Sequence, residues 1–341
     1  MGMHVAIAGA GIIGSSIAWR LAQRGCRVTL LDARTMGGEA SWAGAGMLAP
    51  GGEVTGPSAW SDMALASAAA YPEFVRQLEA ESGEKIDYRK CGAVEIGPSL
   101  DQRASGQAAM GIESHPIDPH EVPGLDVPRG ETTRLFPGDA IVDPRDIMRA
   151  LRIACLARGV EIRESSAVAR VEWAAGRAMV ATVDGALAAD AAVLAAGAWN
   201  SEVRVACPAP ATFPVRGHLL GYHLPPGTLT PILRRDHTYL LQRSSGFFIA
   251  GASSETVGFD RAIDPAIVDR LRLDAERLFA PLRGLQPEAW LGFRPATHSG
   301  LPEIRPLEDT AIWLACGHYR NGIMLAPETA RLVAEGITGA S

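Results

Sequence analysis

The stretch His4-Val5-Ala6-Ile7-Ala8-Gly9-Ala10-Gly11-Ile12-Ile13-Gly14-Ser15 passes from an apolar run through three spaced glycines into an amphipathic pattern. Residues 4–8 read as a strand, 9–14 as a turn of the form G-x-G-x-x-G, 15–24 as a helix and 27–32 as a second strand, which makes a βαβ unit. Each glycine answers a separate steric demand. Gly9 permits the tight turn, Gly11 lets the backbone approach a pyrophosphate, and Gly14 lets the helix pack on the strand. The helix N-terminus stabilises the anion, and Ile12 and Ile13 of the turn are counted with the glycines as cofactor-binding residues. Asp32 ends the second strand, placed to accept hydrogen bonds from ribose hydroxyls and to disfavour a 2′-phosphate. FAD and NAD share this fingerprint, so the glycines alone do not choose between them.

Working outward, residues 61–82 carry a helical pattern, and 86–97 read as a strand pair broken at Cys91-Gly92. Residues 98–138 are rich in Pro and Gly and read as a small inserted region of short segments. A helix over 144–158 is announced by Asp143-Pro144, with Pro at the first helical position, and leads into strands near 160–162 and 167–173. Residues 191–196, ending at Gly197, are fully apolar and suit the centre of a parallel sheet covered on both faces. Residues 212–257 alternate in the manner of antiparallel strands, and residues 311–336 return to strand (311–315), loop (317–322) and helix (327–336). The expected fold is α/β: a Rossmann-like nucleotide-binding domain from 1–85, 140–210 and 306–341. A second, α+β domain, built on an antiparallel sheet, takes 86–139 and 211–305 and holds the substrate.

Composition narrows the function classes. The 341 residues are 47% hydrophobic and 21% charged, with a net charge of -6, as in a soluble enzyme without the basic footprint that nucleic acid or anionic lipid requires. Cys26, Cys91, Cys155, Cys207 and Cys316 are odd in number, scattered and without zinc-ligand spacing, so they read as small buried hydrophobes in a reducing compartment. No apolar run spans a bilayer and no signal peptide fits before the first strand, so the cytoplasm is the expected compartment.

Four further stretches resemble the D-amino acid oxidase family of flavoproteins, and most closely its glycine oxidase branch, nearly end to end. They are Thr35-Met36-Gly37-Gly38 with Ala40-Ser41-Trp42-Ala43-Gly44-Ala45-Gly46-Met47-Leu48; Ala195-Ala196-Gly197-Ala198-Trp199; Trp290-Leu291-Gly292-Phe293-Arg294-Pro295-Ala296-Thr297; and Gly317-His318-Tyr319-Arg320-Asn321-Gly322-Ile323-Met324-Leu325-Ala326-Pro327. The resemblance implies non-covalent FAD. It assigns the flavin and ribityl chain to the small-residue loop with Ala40, Ser41, Ala45, Gly46 and Met47, where backbone amides approach a cofactor closely. It puts Ala33, Gly197 and Trp199 near the cofactor, Val168 loosely at the adenine end, and His318 through Met324 at the isoalloxazine. A core valine reads Val168 equally well, and His318 and Arg320 also read as surface residues.

An amino acid substrate needs a cation for its carboxylate, and Arg supplies a planar fork. The resemblance gives that role to Arg294, gives the same carboxylate a hydroxyl from Tyr239, and lets Arg320 touch substrate. His237, two residues before Tyr239, shapes the pocket or is a core histidine; the second reading has the better physical support. The implied reaction takes a hydride from a small amine or amino acid to flavin N5. The imine then hydrolyses to oxo acid and ammonia, and oxygen leaves as hydrogen peroxide. In the branch this chemistry feeds thiamine synthesis, and its members are often homo-oligomers.

Three departures from the family stand out: Ser254 for a methionine, Gln242 for a proline, and Ser299-Gly300-Leu301-Pro302-Glu303-Ile304-Arg305 for a usual Asp-Gly-x-Pro-x-x-Gly. The first two are expected to change pocket size, the third the approach to the flavin's dimethylbenzene side. Rival readings are a sarcosine or D-amino acid oxidase, a dehydrogenase with a non-oxygen acceptor, a NAD-dependent dehydrogenase, and a non-catalytic flavin-binding protein.

Overall fold

The computed structural model describes residues 2–98, 100–205 and 211–339, which leaves Cys207 outside the described residues. In chain order the elements that build the site are β1 (His4–Ala8), α1 (Ile12–Gln23), β2 (Arg27–Leu31), α2 (Ala59–Ser82), β3 (Ala93–Gly97), β4 (Thr132–Phe136), α3 (Pro144–Ala157), β5 (Glu161–Arg163) and β6 (Ala191–Leu194). There follow β7 (Thr212–His223), β8 (Ile232–Arg235), β9 (Thr238–Gln242), β10 (Phe247–Gly251), α4 (Pro265–Leu278), β11 (Glu288–Thr297), β12 (Glu303–Pro306), β13 (Ile312–Cys316) and α5 (Gly322–Thr338).

One sheet has the order β12-β13-β6-β1-β2-β5, parallel except where β12 meets β13. Alternation divides its side chains between two cores, as a strand buried on both faces requires. Val5 and Ile7 face α1, α2, α3 and α5, where Trp19, Phe74, Leu151 and Val333 join one apolar cluster. Ala6 and Ala8 face the other way, toward Val171 and Val180 of a meander formed by Val168–Ala174, Arg177–Thr182 and Gly185–Ala189. Trp19 and Phe74 meet edge to face at 5.4 Å, the arrangement that ring quadrupoles favour.

The second sheet has eight strands in the order β11-β7-β10-β9-β8-β3-β4 followed by His115–Pro116. Its neighbours are antiparallel except β3 and β8, which run parallel where the earlier and later pieces of chain meet. α4 covers one face through Leu271, Ala275 and Leu278 against Leu220, Leu240 and Phe248. The opposite face, with Leu219, Leu241 and Ile249, looks toward Ala45 of the small-residue loop and Ala49 just after it.

Three expectations need correction. Residues 86–97 do not form a strand pair: Tyr88–Arg89 joins Met47–Leu48 and Ala140–Val142, whereas β3 joins the eight-stranded sheet, and Gly92 at φ +73° turns the chain between them. Residues 98–138 contain a nine-residue helix, Leu100–Ala108, and supply β4 to the large sheet. Finally, the C-terminal helix starts at Gly322, five residues before the proline expected to open it. Pro327 therefore lies inside α5, where it has no N–H for the carbonyl of Ile323. The Tyr71 hydroxyl donates to that carbonyl at 3.1 Å instead. One step on, the Ser67 hydroxyl donates to Met324 O at 2.7 Å and accepts from Glu328 N–H at 3.3 Å. α2 thus repairs the opened ladder, and the first turn of α5 survives at the cleft. Among the described residues, no helix is long and apolar enough to cross a membrane.

Candidate active site

Between the C-terminal ends of β1, β2 and β6 and the uncovered face of the eight-stranded sheet lies a cleft of 930 Å³, near the upper end for small-molecule and cofactor sites. Every residue expected to hold cofactor or substrate lines it except Gly14. Gly14 serves the packing expected of it: a Cβ there would sit 1.9 Å from the carbonyl oxygen of Gly9.

The parallel-sheet side of the cleft is made of backbone. Gly9, at φ +104°, turns the chain so tightly that a Cβ would lie 2.3 Å from Ala195 O. The Asp32 carboxylate accepts from the amides of Ala10 at 2.7 Å and Arg34 at 2.8 Å, fixing the turn while keeping lone pairs for a ligand. Burial pushes this carboxyl up from its ordinary value, and the two amides work against that. Ser41 Oγ accepts from Ile12 N–H at 2.9 Å, tying the small-residue loop to the start of α1. Among the described residues the amides of Gly11 and Ile13 have no partner, which leaves donors for a pyrophosphate at the helix N-terminus. Gly46, at φ +93°, brings the loop so close to Val142 O that a Cβ would lie 1.8 Å from it. Trp199 stacks on Phe259 at 4.7 Å with the Arg34 guanidinium 4.8 Å over its ring. Val168 stands on the cleft beside a register shift in its strand.

The signature segment enters through left-handed Gly317 and Tyr319, forms a single turn over Tyr319–Asn321, and continues into α5. His318 is buried, with Nε2 3.0 Å from Thr329 Oγ1. Burial pushes the imidazole down to about 3, so it is neutral at physiological pH. Burial likewise pushes the Cys316 thiol up to about 12, which keeps it from acting as a nucleophile toward a flavin. Cys155 is also buried, whereas Cys26 and Cys91 are only partly so.

The opposite side is the floor of the large sheet, and side chains make it. Register sets Val215 opposite Arg294, Gly217 opposite Gly292, Gly251 opposite Tyr239 and Arg234 opposite Tyr239. Cross-strand neighbours share a face. A Cβ on Gly217 would meet the Arg294 guanidinium at 2.4 Å, and one on Gly251 would meet the Tyr239 hydroxyl at 2.6 Å. Both side chains therefore lie flat over glycines. Arg294 is half-buried, donates to Ser253 O at 2.9 Å, and has no carboxylate partner among the described residues. Burial pushes the Tyr239 phenol up to about 12, so it stays a donor at neutral pH.

Other expected residues differ from their first reading. His237 is exposed on the cleft rather than packed in a core, because β9 begins only at Thr238 and the left-handed turn at Asp236 carries the imidazole outward. Arg320 reaches the cleft, but its guanidinium is taken by Glu53 at 2.8 and 3.0 Å. Gln242 does not touch the cleft: it is buried, accepts from Leu229 N–H at 3.0 Å and donates to Pro225 O at 2.9 Å, clamping the loop before β8. Residues 299–305 also stay outside it, packed behind Gly317, with Arg305 paired to Glu303 at 3.0 Å. Ser254 does face the cleft, with Oγ 3.3 Å from the Tyr319 hydroxyl.

Glu53, Arg234, Glu95, Gly217 and Gly292 also line the cleft and were missed. Glycines inside strand patterns at 217, 251 and 292 were the available signal, since such a residue marks a close approach.

The arrangement suits a long, partly anionic cofactor lying from the α1 N-terminus to the α5 N-terminus, because glycine backbone occupies the points where side chains would obstruct it. Residues 4–336 match the family described as FAD dependent oxidoreductase. The chain is 36% identical over 342 residues to the bifunctional protein ThiO/ThiG of Synechocystis sp., covering 97% of this chain and 51% of that protein. It thus spans about half the length of that relative. It is 30% identical over 353 residues to the glycine oxidase of Pseudomonas putida, covering 100% of this chain and 96% of that one. The crystal structure of glycine oxidase from Geobacillus kaustophilus superposes with a TM-score of 0.93 at 28% identity, covering 99% and 96% of the two chains. The NAD-dependent reading is therefore set aside, and the chain belongs to the FAD dependent oxidoreductase family, an enzyme whose cofactor is FAD.

Proposed function

We propose that this enzyme oxidises glycine, or another small amine bearing a carboxylate, to the imine, which water converts to the oxo acid and ammonia while oxygen becomes hydrogen peroxide. The observation that carries the reading is Arg294: a cation on the cleft floor, beside a neutral phenol, with no carboxylate of the described chain to neutralise it. Relatives named glycine oxidase support the substrate class.

In this reading Arg294 holds the substrate carboxylate as a two-point fork and Tyr239 donates a third hydrogen bond. With His318 neutral, Arg294 supplies the positive charge at that end, and it acts by orientation. FAD supplies the two-electron acceptor for the substrate Cα–H bond. Gly9, Gly11, Ile12, Ile13, Asp32 and Ala33 take its nucleotide part, with Val168 at the adenine. The 40–47 loop, Gly197, Trp199 and the 318–324 segment take the flavin. The parallel-sheet pieces then form the cofactor domain and the eight-stranded sheet the substrate domain. His237 and Ser254 border the substrate, and Arg320 acts at the rim through Glu53. A homo-oligomer in the cytoplasm supplying an imine or oxo acid to thiamine synthesis completes the proposal.

Oxygen uptake and peroxide release with glycine, sarcosine and D-alanine test it. The expected result is one peroxide per amine oxidised. Amine-dependent reduction of an added quinone without peroxide would instead make it a dehydrogenase.

A further inference from the structure

Behind Arg294 lies a buried polar cluster that the reaction itself does not use. Ser253 O accepts from the Arg294 guanidinium at 2.9 Å. The same residue is held from the other side: its Oγ accepts from His218 N–H at 2.7 Å and donates to Glu255 Oε1. His218 is fully buried, and its Nε2 lies 3.2 Å from the Asp264 amide. An amide only donates, so Nε2 carries no proton, and Nδ1 carries the hydrogen that goes to Glu255 Oε1 at 3.0 Å. The other Glu255 oxygen takes two donors from Arg216, at 2.8 and 2.6 Å, and Arg216 also pairs with Asp260 at 2.7 Å. Arg216 is 5% exposed. Backbone bonds between Arg216 and Glu255, 2.9 Å in both directions, staple the 253–255 segment to β7.

Gly217 lies between Arg216 and His218, and its missing side chain is the space in which the Arg294 guanidinium rests. The cluster and the substrate-facing cation thus occupy opposite sides of the same three residues of β7.

We propose that Glu255 is a positioning residue for substrate binding. With His218 and Arg216 it anchors Ser253, and the Ser253 carbonyl sets the direction in which Arg294 presents its fork to the substrate carboxylate. This rests on the carboxylate-binding reading of Arg294. A fork left free to rotate loses affinity and alignment, since a pre-organised group depends on the partners that lock its rotamer.

The test uses the FAD-bound enzyme and glycolate, a carboxylate of glycine's size without its amine, followed by the shift of the visible flavin bands. Glu255→Gln should weaken glycolate about 10-fold and raise KM for glycine by a similar factor with kcat little changed, the pattern of a lost positioning contact. Ser253→Ala keeps the carbonyl but removes its anchor, and should give a smaller change of the same kind. It also keeps the test open if Glu255→Gln unfolds because Arg216 loses one of its two carboxylate partners. Flavin content and thermal unfolding establish which variants are intact. Intact variants that bind glycolate as tightly as the wild type, while Arg294→Ala does not bind it, overturn this proposal and leave the carboxylate site standing. A wild type that does not bind glycolate, or an Arg294→Ala that binds it equally well, overturns the carboxylate site and this proposal with it.

Discussion

The two walls of the cleft are specified in different ways. On the parallel-sheet side the backbone is the surface, and Gly9 and Gly46 stand where a Cβ would run into a carbonyl oxygen at 2.3 and 1.8 Å. On the eight-stranded side the surface consists of side chains delivered by register from strands distant in sequence, with Arg294 opposite Val215 and Tyr239 opposite Gly251. A wall of backbone tolerates almost no side chain, so it is written in short local runs. A wall of side chains tolerates many sequences, and its chemistry depends on which residues meet.

That contrast breaks most visibly if the backbone wall accepts a methyl group. Gly46→Ala combines a left-handed backbone with contact at 1.8 Å and should cost at least about 3 kcal/mol, leaving little folded, flavin-loaded protein. Flavin absorbance per chain measures this, and full loading would refute the backbone account of that wall.

His318, on the same wall, sharpens it through pH. Its folded-state value is lowered to about 3 from 6.5, so below pH 6.5 the unfolded chain binds a proton that the folded chain refuses. Stability conferred by the neutral imidazole is complete above pH 6.5 and falls as pH drops toward 3, by up to about 1.4 kcal/mol per pH unit. Thermal unfolding against pH should show this slope in the wild type and a shallower one in His318→Gln. Equal slopes would mean that the imidazole is not buried neutral.

On the side-chain wall smaller effects are expected. Gln242→Leu should lower stability by about 1–3 kcal/mol, because the Leu229 amide and Pro225 carbonyl lose their partner, and leave kcat/KM alone. A change of substrate preference would return Gln242 to the pocket. Tyr239→Phe should lower kcat/KM for glycine about 10-fold, the loss of one hydrogen bond to a charged group, with flavin content unchanged.

The same contrast explains what could be read in advance. The G-x-G-x-x-G run, Asp32 and the Asp143-Pro144 helix start are local, and each lies within three residues of where the sequence puts it, α1 opening at Ile12 inside the run read as a turn. α5 was misread because Pro327 normally opens or breaks a helix, and nothing near it shows that Tyr71 and Ser67 take over its missing bonds. On the side-chain wall, the resemblance points to Arg294 and Tyr239, and both line the cleft. His237 and Gln242 were misjudged because their surroundings come from a turn and a loop whose positions follow from the sheet as a whole. The glycines at 217, 251 and 292 were visible, but their purpose required knowing which side chain lies over each.

The most direct measurement is anaerobic mixing of the FAD-bound wild type and Arg294→Ala with glycine, sarcosine and D-alanine, following the visible flavin bands. The wild type should be bleached by at least one of them, while Arg294→Ala stays yellow or is reduced about 1000-fold less efficiently, as loss of a bidentate charge-assisted contact dictates. An Arg294→Ala enzyme bleached as readily as the wild type, or a wild type that none of the three reduces, would contradict a cleft built to hold a small amino acid by its carboxylate.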